Sequence, residues 1–416
     1  MFFAKLLTQV VRTGTIVVVD PSGRRRTVGT GTPQVTLRIH DWKTDLRLGL
    51  YPTMAVGEAY MDGRLTIEEG TLYDFVDIAA VNLDRLAAHP LQRIIDGTAA
   101  LLRRLQQHNP LHRARRNVAH HYDLSDALYD SFLDPQRQYS CAYFTHPKMG
   151  LDAAQEAKIR HIAAKLLLKP GQRVLDIGCG WGGLALALAR MADVEVLGVT
   201  LSVEQHRYAT ERARAAGLED RVRFELRDYR LLEEQFDRVV SVGMFEHVGV
   251  GHYGEFFAKV RTLLKDDGVA LLHSIGRHDG PGVTNPWIRR YIFPGGYSPA
   301  LSEVLPAIER EKLWATDIEI LRLHYAETLR HWRERFEQHR DEMAELYDER
   351  FCRMWEMYLI GSELAFRRMG HMVFQIQLAK DIEAVPLTRD YIGTFEKAST
   401  PALRRIPNEK ARAKAN

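Results

Sequence analysis

The pattern of apolar and polar positions divides the chain into a β-rich N-terminal part and a later part in which strands and helices alternate. Between residues 14 and 50, apolar side chains alternate with polar ones, and turns such as Pro21-Ser-Gly23 separate the runs. This period-two pattern predicts an antiparallel β region. Residues 72–86 instead follow the period of an amphipathic helix. We therefore expect residues 1–90 to form a small α+β domain with its own core.

Short apolar runs alternate with helical patterns from residue 155 to about residue 275. Strands are predicted at residues 173–177, 195–199, 222–226, 236–242 and 269–275. Helices between successive strands indicate an α/β fold with a doubly wound parallel sheet. After Tyr297 the pattern is mostly helical, and helices are predicted at residues 299–310, 323–341 and 348–380.

Two basic stretches flank the predicted α/β domain. Five arginines fall within fourteen residues, namely Arg103, Arg104, Arg113, Arg115 and Arg116. They suit a solvated linker surface and, equally, contact with anionic lipid headgroups at about 1 kcal/mol per cation. The tail from Pro401 is polar and basic, and we expect it to be disordered. The predicted division is an N-terminal domain at 1–90, a basic helical linker at 91–118, a catalytic domain at 119–395 and a basic tail at 396–416.

The composition narrows the function classes only slightly. The 416 residues are 45% hydrophobic and 27% charged, as in an ordinary globular protein, and the net charge of +3 does not favour a nucleic-acid partner. Cys141, Cys179 and Cys352 have neither metal-site nor disulfide spacing. We therefore expect no metal and a cytoplasmic setting. No apolar run reaches the roughly 18 residues of a membrane span, and the first residues do not read as a secretion signal.

A glycine-rich turn follows the strand predicted at residues 173–177. It reads Val174-Leu-Asp-Ile-Gly-Cys-Gly-Trp-Gly-Gly183 and leads into a helix. Glycines allow a sharp turn and the close approach of a ligand, which in such sheets binds at the carboxyl ends of the strands. Gly178, Gly180 and Gly183 fit G-x-G-x-x-G, which by itself is a weak sign of a dinucleotide.

The same turn also resembles the glycine loop of S-adenosylmethionine-dependent methyltransferases. Asp176, Gly178, Gly180 and Gly182 give D-x-G-x-G-x-G, and Asp176 ends its strand where it can interact with a ligand. The next strand ends at Thr200, where an NAD ribose would require an acidic residue. The methyl donor is therefore favoured over NAD.

Six stretches around the turn carry a closer resemblance. They are His121-Tyr-Asp-Leu-Ser125, Tyr139-Ser-Cys-Ala-Tyr-Phe144, Thr200-Leu-Ser-Val-Glu-Gln205, Val242-Gly-Met-Phe-Glu-His-Val-Gly249, Leu272-His-Ser-Ile-Gly276 and Trp287-Ile-Arg-Arg-Tyr-Ile-Phe-Pro294. In this order they closely resemble cyclopropane-fatty-acyl-phospholipid synthases and mycolic acid cyclopropane synthases. Gly57-Glu-Ala-Tyr-Met-Asp-Gly63 also resembles the extra N-terminal domain of the phospholipid enzymes. The resemblance implies a class I methyltransferase fold, which is a Rossmann-like doubly wound sheet with helical additions.

The resemblance also implies S-adenosylmethionine as the cofactor. It assigns the contacts to Tyr139, Ser140, Asp176, Gly178, Cys179, Gly180, Gly182, Thr200, Leu201, Ser202, Gln205, Asp228 and Tyr229. N–H groups and hydroxyls at a helix start suit the charged end of methionine. The Gln205 side chain suits the ribose hydroxyls, and Asp228 suits the adenine amino group. An aspartate at this position also occurs in ordinary turns, which is the less favoured interpretation of Asp228.

In the family's reaction an alkene attacks the sulfonium methyl, and a base then removes a proton from the new methyl so that a ring closes. The resemblance implies bound bicarbonate as the base, held by Cys141, Glu246, His273, the backbone of Ile275, and Tyr325. A buried anion needs converging donors, which His273 and Tyr325 supply, while Glu246 can relay the proton. Aromatic side chains near these motifs can stabilise cationic character. They are Tyr143, Phe144, Phe245, Tyr291, Phe293 and Tyr297.

Several alternatives and one departure accompany this hypothesis. Ser362 stands where some family members have a cysteine, which excludes a thiol role at that position. The rivals are a family methyltransferase that leaves a methyl or methylene branch, a non-catalytic lipid-binding protein, and an NAD-dependent oxidoreductase. The set of bicarbonate residues disfavours the first rival, and the intact glycine-rich turn disfavours the second. Thr200 disfavours the third, because an acidic residue is expected there in an NAD-dependent enzyme. The expected partners are unsaturated phospholipids at the inner membrane surface and a second copy in a homodimer.

Overall fold

The computed structural model describes residues 1–88 and 124–403. Before the gap the elements are α1 (Phe2–Val10), β1 (Thr13–Val19), β2 (Arg25–Ile39), α2 (Trp42–Leu50), α3 (Pro52–Met61), β3 (Leu65–Glu69), α4 (Leu72–Val81) and α5 (Leu83–Ala88). After it come α6 (Asp126–Phe132), α7 (Leu151–Lys165), β4 (Arg173–Ile177), α8 (Gly183–Ala192), β5 (Glu195–Thr200), α9 (Val203–Ala215), β6 (Val222–Leu226) and β7 (Phe236–Val242). The remaining elements are α10 (Tyr253–Leu263), β8 (Leu264–Arg277), α11 (Pro286–Tyr291), α12 (Leu301–Arg310), β9 (Trp314–Leu321), α13 (His324–Gln338), α14 (Arg340–Leu346), α15 (Glu349–Arg368), β10 (His371–Ala379) and α16 (Asp390–Leu403).

Two compact units divide the described residues. The first contains residues 1–88, 283–294 and 329–371, and the second contains residues 124–282, 295–328 and 372–403. This division differs from the predicted one, because α15 packs on α3 and α4 and so joins the N-terminal unit. Arg350 bonds Asp62 at 2.8 Å and Arg368 bonds Asp77 at 3.0 Å. Local periodicity cannot reveal such distant partners.

The first unit contains a three-stranded sheet in the order β1-β2-β3. β1 pairs antiparallel with the first half of β2, and the second half of β2 pairs antiparallel with β3, so the antiparallel β region expected from the sequence is confirmed for these two pairings. The second half of β2 runs parallel to β1. The long β2 turns back on itself near Gly29 and Gly31, which have φ of 76° and 90°. Ile16 consequently aligns with both Val28 and Val35, and all three side chains are buried. The inward positions of the two strands thus supply the core of this unit.

The second unit contains a seven-stranded sheet in the order β6-β5-β4-β7-β8-β10-β9. The strands from β6 to β8 are parallel, and the five strands predicted from the sequence are confirmed. The helix predicted at 348–380 is wrong in its second half. It ends at Arg368, Gly370 has φ of 72°, and β10 follows. β10 pairs antiparallel with β9, which lies between two predicted helices and was not predicted as a strand. Pairing across the sheet overrides the local pattern at β10.

A buried ionic network connects α7 with β9 and α16 within the second unit. His161 contacts Glu319 at 2.6 Å and Glu396 at 2.7 Å. Lys165 lies one turn further along α7 and bonds Glu319 and, at 3.2 Å, Asp317. Burial lowers the pKa of His161, but its hydrogen bonds to the two glutamates outweigh this and raise the pKa overall. The network therefore holds α16 against α7 through a protonated imidazole.

No helix in the described part of the chain is both long and apolar enough to cross a membrane.

Candidate active site

The turn between β4 and α8 is built by glycines with positive φ. Gly178, Gly180 and Gly182 have φ of 82°, 54° and 79°. The amides of Gly178 and Cys179 donate to the Val199 carbonyl at 2.9 and 3.1 Å, which ties the turn to β5. A Cβ on Gly180 would meet no atom within 4 Å, whereas one on Gly182 would lie 2.6 Å from Phe224 Cζ. Gly180 therefore faces open space, and Gly182 permits close packing.

A cleft of about 1260 Å³ opens beside this turn, within the second unit. Eleven of the predicted cofactor residues line it, namely Tyr139, Ser140, Asp176, Gly178, Cys179, Gly180, Thr200, Leu201, Gln205, Asp228 and Tyr229. Gly182 and Ser202 do not line it. Ser202 instead caps α9 by accepting the amide hydrogen of Gln205 at 3.2 Å. Eleven of the thirteen residues thus share the surface of one cleft, and the other two, Gly182 and Ser202, lie outside its lining.

Asp176 lies at the end of β4 and is 2% exposed. Its Oδ2 is buried and has no hydrogen-bond partner among residues 1–88 and 124–403. Burial raises the pKa of Asp176 to about 7, although nearby Lys158 acts to lower it. An unpaired buried carboxylate oxygen in a cleft is costly unless a ligand supplies a donor. Asp176 therefore fits a cofactor that carries hydroxyl or amino groups.

The predicted ribose and adenine residues already have partners in the protein. Thr200 Oγ1 donates to Gln205 Oε1 at 2.9 Å, and this carbonyl oxygen keeps a second lone pair. Asp228 accepts from Arg230 Nε and Nη2 at 2.9 and 2.8 Å. Arg230 also lines the cleft, although it is not among the cofactor residues predicted from the sequence. A ligand at Asp228 would share the carboxylate with this guanidinium.

Two buried residues of α7 support the segment that carries Ser140. Lys158 Nζ donates to Gln138 Oε1 at 2.7 Å and to Ser140 Oγ at 2.8 Å. Gln155 Nε2 donates to the carbonyls of Gln138 and Ser140 at 3.2 and 3.0 Å. Neither Gln155 nor Lys158 is among the residues predicted from the sequence. The available signal was a set of polar residues at helical spacing within an alanine-rich helix, which Gln155, Lys158 and His161 provide.

Glu246 and Ile275 are joined directly among the five predicted catalytic residues. The Ile275 amide donates to Glu246 Oε1 at 2.6 Å, while Glu246 Oε2 is buried and has no partner within the described part of the chain. Burial raises the pKa of Glu246 to about 7, opposed by the Ile275 hydrogen bond. The Ile275 amide therefore orients Glu246 through Oε1 and leaves Oε2 outside this hydrogen bond.

His273 lies two residues before Ile275 on β8 and is 2% exposed. Its Nδ1 lies 3.1 Å from Nε2 of Gln375 on β10. Burial, with nearby Lys158, holds the pKa of His273 well below its ordinary value, so the ring is neutral. Since the Gln375 amide donates to Nδ1, the ring proton is on Nε2, which can donate to a ligand.

Cys141 and Tyr325 come from two segments that contact each other. The Ala142 amide donates to Oγ1 of Thr328 at 3.0 Å, and Thr328 follows Tyr325 by one turn of α13. Cys141 is 1% exposed and its Sγ donates to the Ala142 carbonyl at 3.3 Å. Burial raises the pKa of Cys141, so it stays a thiol. Cys141 can act only as a weak donor.

The aromatic residues near the motifs have different surroundings. Phe245 is fully buried in the core and stacks on Tyr253. Tyr143 is stacked between the rings of His161 and His324, at 4.2 and 5.1 Å. Two of the six, Tyr291 and Phe293, belong to the first unit. Phe245 therefore stabilises the fold, and the six do not share one role.

A sequence profile of the mycolic acid cyclopropane synthetase family matches residues 109–376. The chain belongs to this family. It is 40% identical over 331 residues to the cyclopropane-fatty-acyl-phospholipid synthase of Escherichia coli, which covers 80% of this chain and 84% of the relative. It is 39% identical over 349 residues to a tuberculostearic acid methyltransferase of Mycobacterium tuberculosis, covering 80% of this chain and 81% of the relative. The family membership and the enzyme class that the motifs predicted are both confirmed.

Solved structures of mycolic acid cyclopropane synthases share the fold of this family member. MmaA2 from Mycobacterium tuberculosis aligns with a TM-score of 0.62 at 35% identity, covering 66% of this chain and 99% of that one. CmaA1, complexed with SAH and CTAB, gives 0.60 at 34% identity, with 64% and 97% covered. The predicted class I methyltransferase fold is confirmed, and the chain is an S-adenosylmethionine-dependent methyltransferase by family.

Proposed function

We propose that this family member transfers a one-carbon group to the cis double bonds of phospholipid acyl chains and closes a cyclopropane ring. The observation that carries the proposal is Glu246, a buried carboxylate whose pKa is raised to about 7 and whose Oε2 has no partner among the residues that the structure describes. Such a group can take up and release a proton near neutral pH. Methyl transfer to an alkene leaves a carbocation, and ring closure requires that a base take a proton from the new methyl group.

The cofactor site proposed for S-adenosylmethionine is the cleft beside the β4–α8 turn. Bound there, the cofactor supplies an electrophilic methyl group. Asp176 Oδ2 offers a buried acceptor, and Gly180 leaves the turn open to a ligand. Thr200 and Asp228 line the same surface at the ends of β5 and β6. These residues bind and orient the cofactor, and burial keeps water from it.

The proton acceptor is proposed to be a bicarbonate ion beside Glu246. Neutral His273 has an Nε2–H to donate, and the Ile275 amide keeps Glu246 in position. Glu246 Oε2 can accept the hydrogen of a bicarbonate hydroxyl. Tyr325 would complete the site as a further donor, and Cys141 would do so once its S–H turns away from the Ala142 carbonyl. The chain's own residues thereby hold the anion and relay its proton.

A second candidate function is methyl transfer that leaves a methyl or methylene branch. Two relatives favour it, the tuberculostearic acid methyltransferase and a probable fatty acid methyltransferase of Pseudomonas putida, which is 36% identical over 365 residues. Both candidates begin with the same methyl transfer. They differ in the fate of the carbocation that this transfer leaves. Loss of a proton from the new methyl with ring closure gives cyclopropane, loss of a proton with formation of a new double bond gives a methylene branch, and a saturated methyl branch requires a hydride donor as well.

Contact with the membrane surface is proposed to use a different part of the molecule. The predicted arginine cluster at 103–116 lies outside the described residues. In the first unit, Trp42, Leu46 and Leu50 recur every four residues on α2 and are 54%, 40% and 52% exposed. They therefore form one apolar face. Exposed Lys43 lies beside this face and suits anionic headgroups. We call Trp42, Leu46 and Leu50 the α2 surface.

The test is to incubate the purified protein with S-adenosylmethionine and vesicles of cis-unsaturated phospholipid, then to analyse the acyl chains. We expect a gain of one CH₂, loss of the double bond, and the high-field proton resonances of a cyclopropane ring. A branched product with the same donor would favour the second candidate. Acyl chains that stay unchanged while the cofactor binds would contradict both.

A further inference from the structure

Lys158 is a buried cation for which the proposed reaction has no assigned use. Its side chain is fully buried, and its ammonium group donates only to Gln138 Oε1 and Ser140 Oγ among the described residues. Lys165 on the same helix is also buried, but it has Asp317 and Glu319 as ionic partners. Burying a cation without an ionic partner costs several kcal/mol. A charge kept under this penalty needs a counter-charge or a function.

The hydrogen bond to Ser140 fixes the direction of the serine hydroxyl. An ammonium group has three donors and no acceptor, so Ser140 Oγ must accept from Lys158. The hydroxyl hydrogen must then point away from Lys158. Gln155 holds the Ser140 carbonyl at 3.0 Å, so the residue cannot easily turn. Ser140 lines the cleft, and its hydroxyl is left as a donor there.

We infer that Lys158 is a positioning residue that makes the Ser140 hydroxyl a donor to the carboxylate of the cofactor's amino-acid end. This inference rests on the proposed S-adenosylmethionine site. The buried ammonium stands directly behind the hydroxyl, so its charge strengthens that donor and attracts an anion. The anionic end of the cofactor thereby adds to the counter-charge that the buried Asp134 and Asp176 provide. Ser140 contacts the ligand, and Lys158 acts through it.

The groups that face Lys158 come from four parts of the second unit. They are Asp134 after α6, Cys141, Asp176 at the end of β4, and His273 on β8. Asp134 already accepts the amides of Gln136 and Gln138 at 2.8 Å. Burial lowers the pKa of Lys158 to about 8, opposed by Asp134, Cys141 and Asp176. Lys158 therefore loses its charge as the pH rises through about 8.

The experiment measures the affinity of purified full-length variants for S-adenosylhomocysteine by titration calorimetry. This ligand keeps the carboxylate but lacks the sulfonium. Lys158→Met should weaken binding about 10- to 100-fold at pH 7, the scale of a hydrogen bond to a charged group. The matched control is Lys165→Met, which removes a buried cation from the same helix but leaves Ser140 untouched. It should bind S-adenosylhomocysteine like the wild type.

A second ligand separates positioning from support of the fold. Methylthioadenosine keeps the adenosine part and lacks the amino-acid end, so wild type and Lys158→Met should bind it equally. An equal loss of affinity for both ligands would mean that Lys158 only supports the fold, and the inference would be wrong. Between pH 7 and 9 the wild type should lose affinity for S-adenosylhomocysteine more steeply than Lys158→Met.

Ser140→Ala provides an independent check if Lys158→Met is unstable. Removing the hydroxyl should weaken S-adenosylhomocysteine binding by a similar factor and leave methylthioadenosine binding unchanged. Unchanged affinity for both ligands would overturn the inference while leaving the cofactor site in place. Failure of the wild type to bind S-adenosylhomocysteine would overturn the proposed cofactor site itself, so the two failures are distinguishable.

Discussion

Burial raises the pKa values of individual carboxyl groups in this protein, so that they can exchange a proton near neutral pH, which exposed carboxyl groups cannot do. The pKa of Glu246 is raised to about 7, so the group is largely protonated at pH 6 and ionised at pH 8. If ionised Glu246 relays the proton, cyclopropane formation should rise about tenfold per pH unit below pH 7 and level off above it. Steady-state rates on phospholipid vesicles at saturating cofactor and bicarbonate measure this.

Glu246→Gln removes the ionisable group at constant size. We expect the rate of ring formation to fall about 100-fold or more, the usual scale for a positioned acid–base group, and its rise near pH 7 to disappear. Cofactor affinity should stay the same, because Glu246 does not line the cofactor cleft. A variant that keeps the wild-type rate and pH profile would exclude Glu246 from the proton relay.

Gly180 offers a direct test of the cofactor site. A valine there would project into open space in the cleft, at a φ of +54°. Gly180→Val should abolish detectable binding of S-adenosylhomocysteine and cost about 1–2 kcal/mol of stability through the strained backbone. Gly217→Val is the matched control, since Gly217 has φ of +63°, equally open surroundings and no place in the cleft. It should show the strain and normal binding in calorimetry.

The sequence could predict residues whose chemistry is visible locally. Glycines that follow a buried strand predict a turn that can bind a ligand. Asp176 and Gly180 belong to this turn, and both line the cleft. Lys158 could not be predicted in the same way, because a lysine on a helix normally reaches solvent. Its use depends on Gln138 and Ser140, which approach it from another segment. Tertiary contact, not local pattern, decides such a role.

At the scale of elements, α2 tests the proposed membrane contact. Replacing Trp42, Leu46 and Leu50 with serine should lower binding to anionic phospholipid vesicles about tenfold or more, because burying each large apolar side chain contributes about 1.5–3 kcal/mol. Vesicle sedimentation measures this. Ile382→Ser with Leu387→Ser is the control, since both side chains are 58% or more exposed but lie elsewhere.

Two results would contradict the membrane role of the α2 surface. One is unchanged vesicle binding of the triple variant. The other is loss of a homodimer in sedimentation equilibrium while vesicle binding persists, which would assign the α2 surface to contact between copies. The control also tests for a general effect of removing exposed apolar groups.

Strands and helices differed in how well the sequence predicted them. The parallel strands β4 to β8 are buried apolar runs bounded by turns, and this pattern is unambiguous. The error at β10 has a physical cause. His371–Ala379 follows α15 after only Met369 and Gly370, and its buried polar residues Gln375 and Gln377 obscure the strand pattern. The segment is a strand because it pairs with β9, which lies more than fifty residues earlier in the sequence.

At the scale of the whole molecule, the His161 network should couple stability to pH. The pKa of His161 is raised in the folded state by Glu319 and Glu396. Its contribution is therefore fully present below the unfolded pKa of about 6.5 and is lost as the pH rises through the folded pKa. Burial raises the pKa of Glu319, but His161 and Lys165 outweigh this and lower it to about 2, so Glu319 stays ionised from pH 6 to 9.

His161→Gln should reduce the free energy of unfolding by about 3 kcal/mol at pH 6 and by clearly less at pH 9. Urea denaturation at the two pH values measures the difference. His206→Gln is a suitable control, because His206 contacts the Phe224 carbonyl at 3.0 Å rather than a carboxylate. Equal losses at both pH values in His161→Gln would show that the network is held by neutral hydrogen bonds.

The division of the chain between the two units has a consequence for synthesis. The N-terminal unit is finished only by the segment that ends at His371, because α15 packs on α3 and α4. A ribosome adding about 5–20 residues per second needs roughly 15–50 s to pass from residue 106 to residue 371. During that interval α3 and α4 present apolar surface whose partner has not been made. Nascent chains should therefore depend on chaperones, and the first 106 residues cannot serve as a portable module in gene fusions.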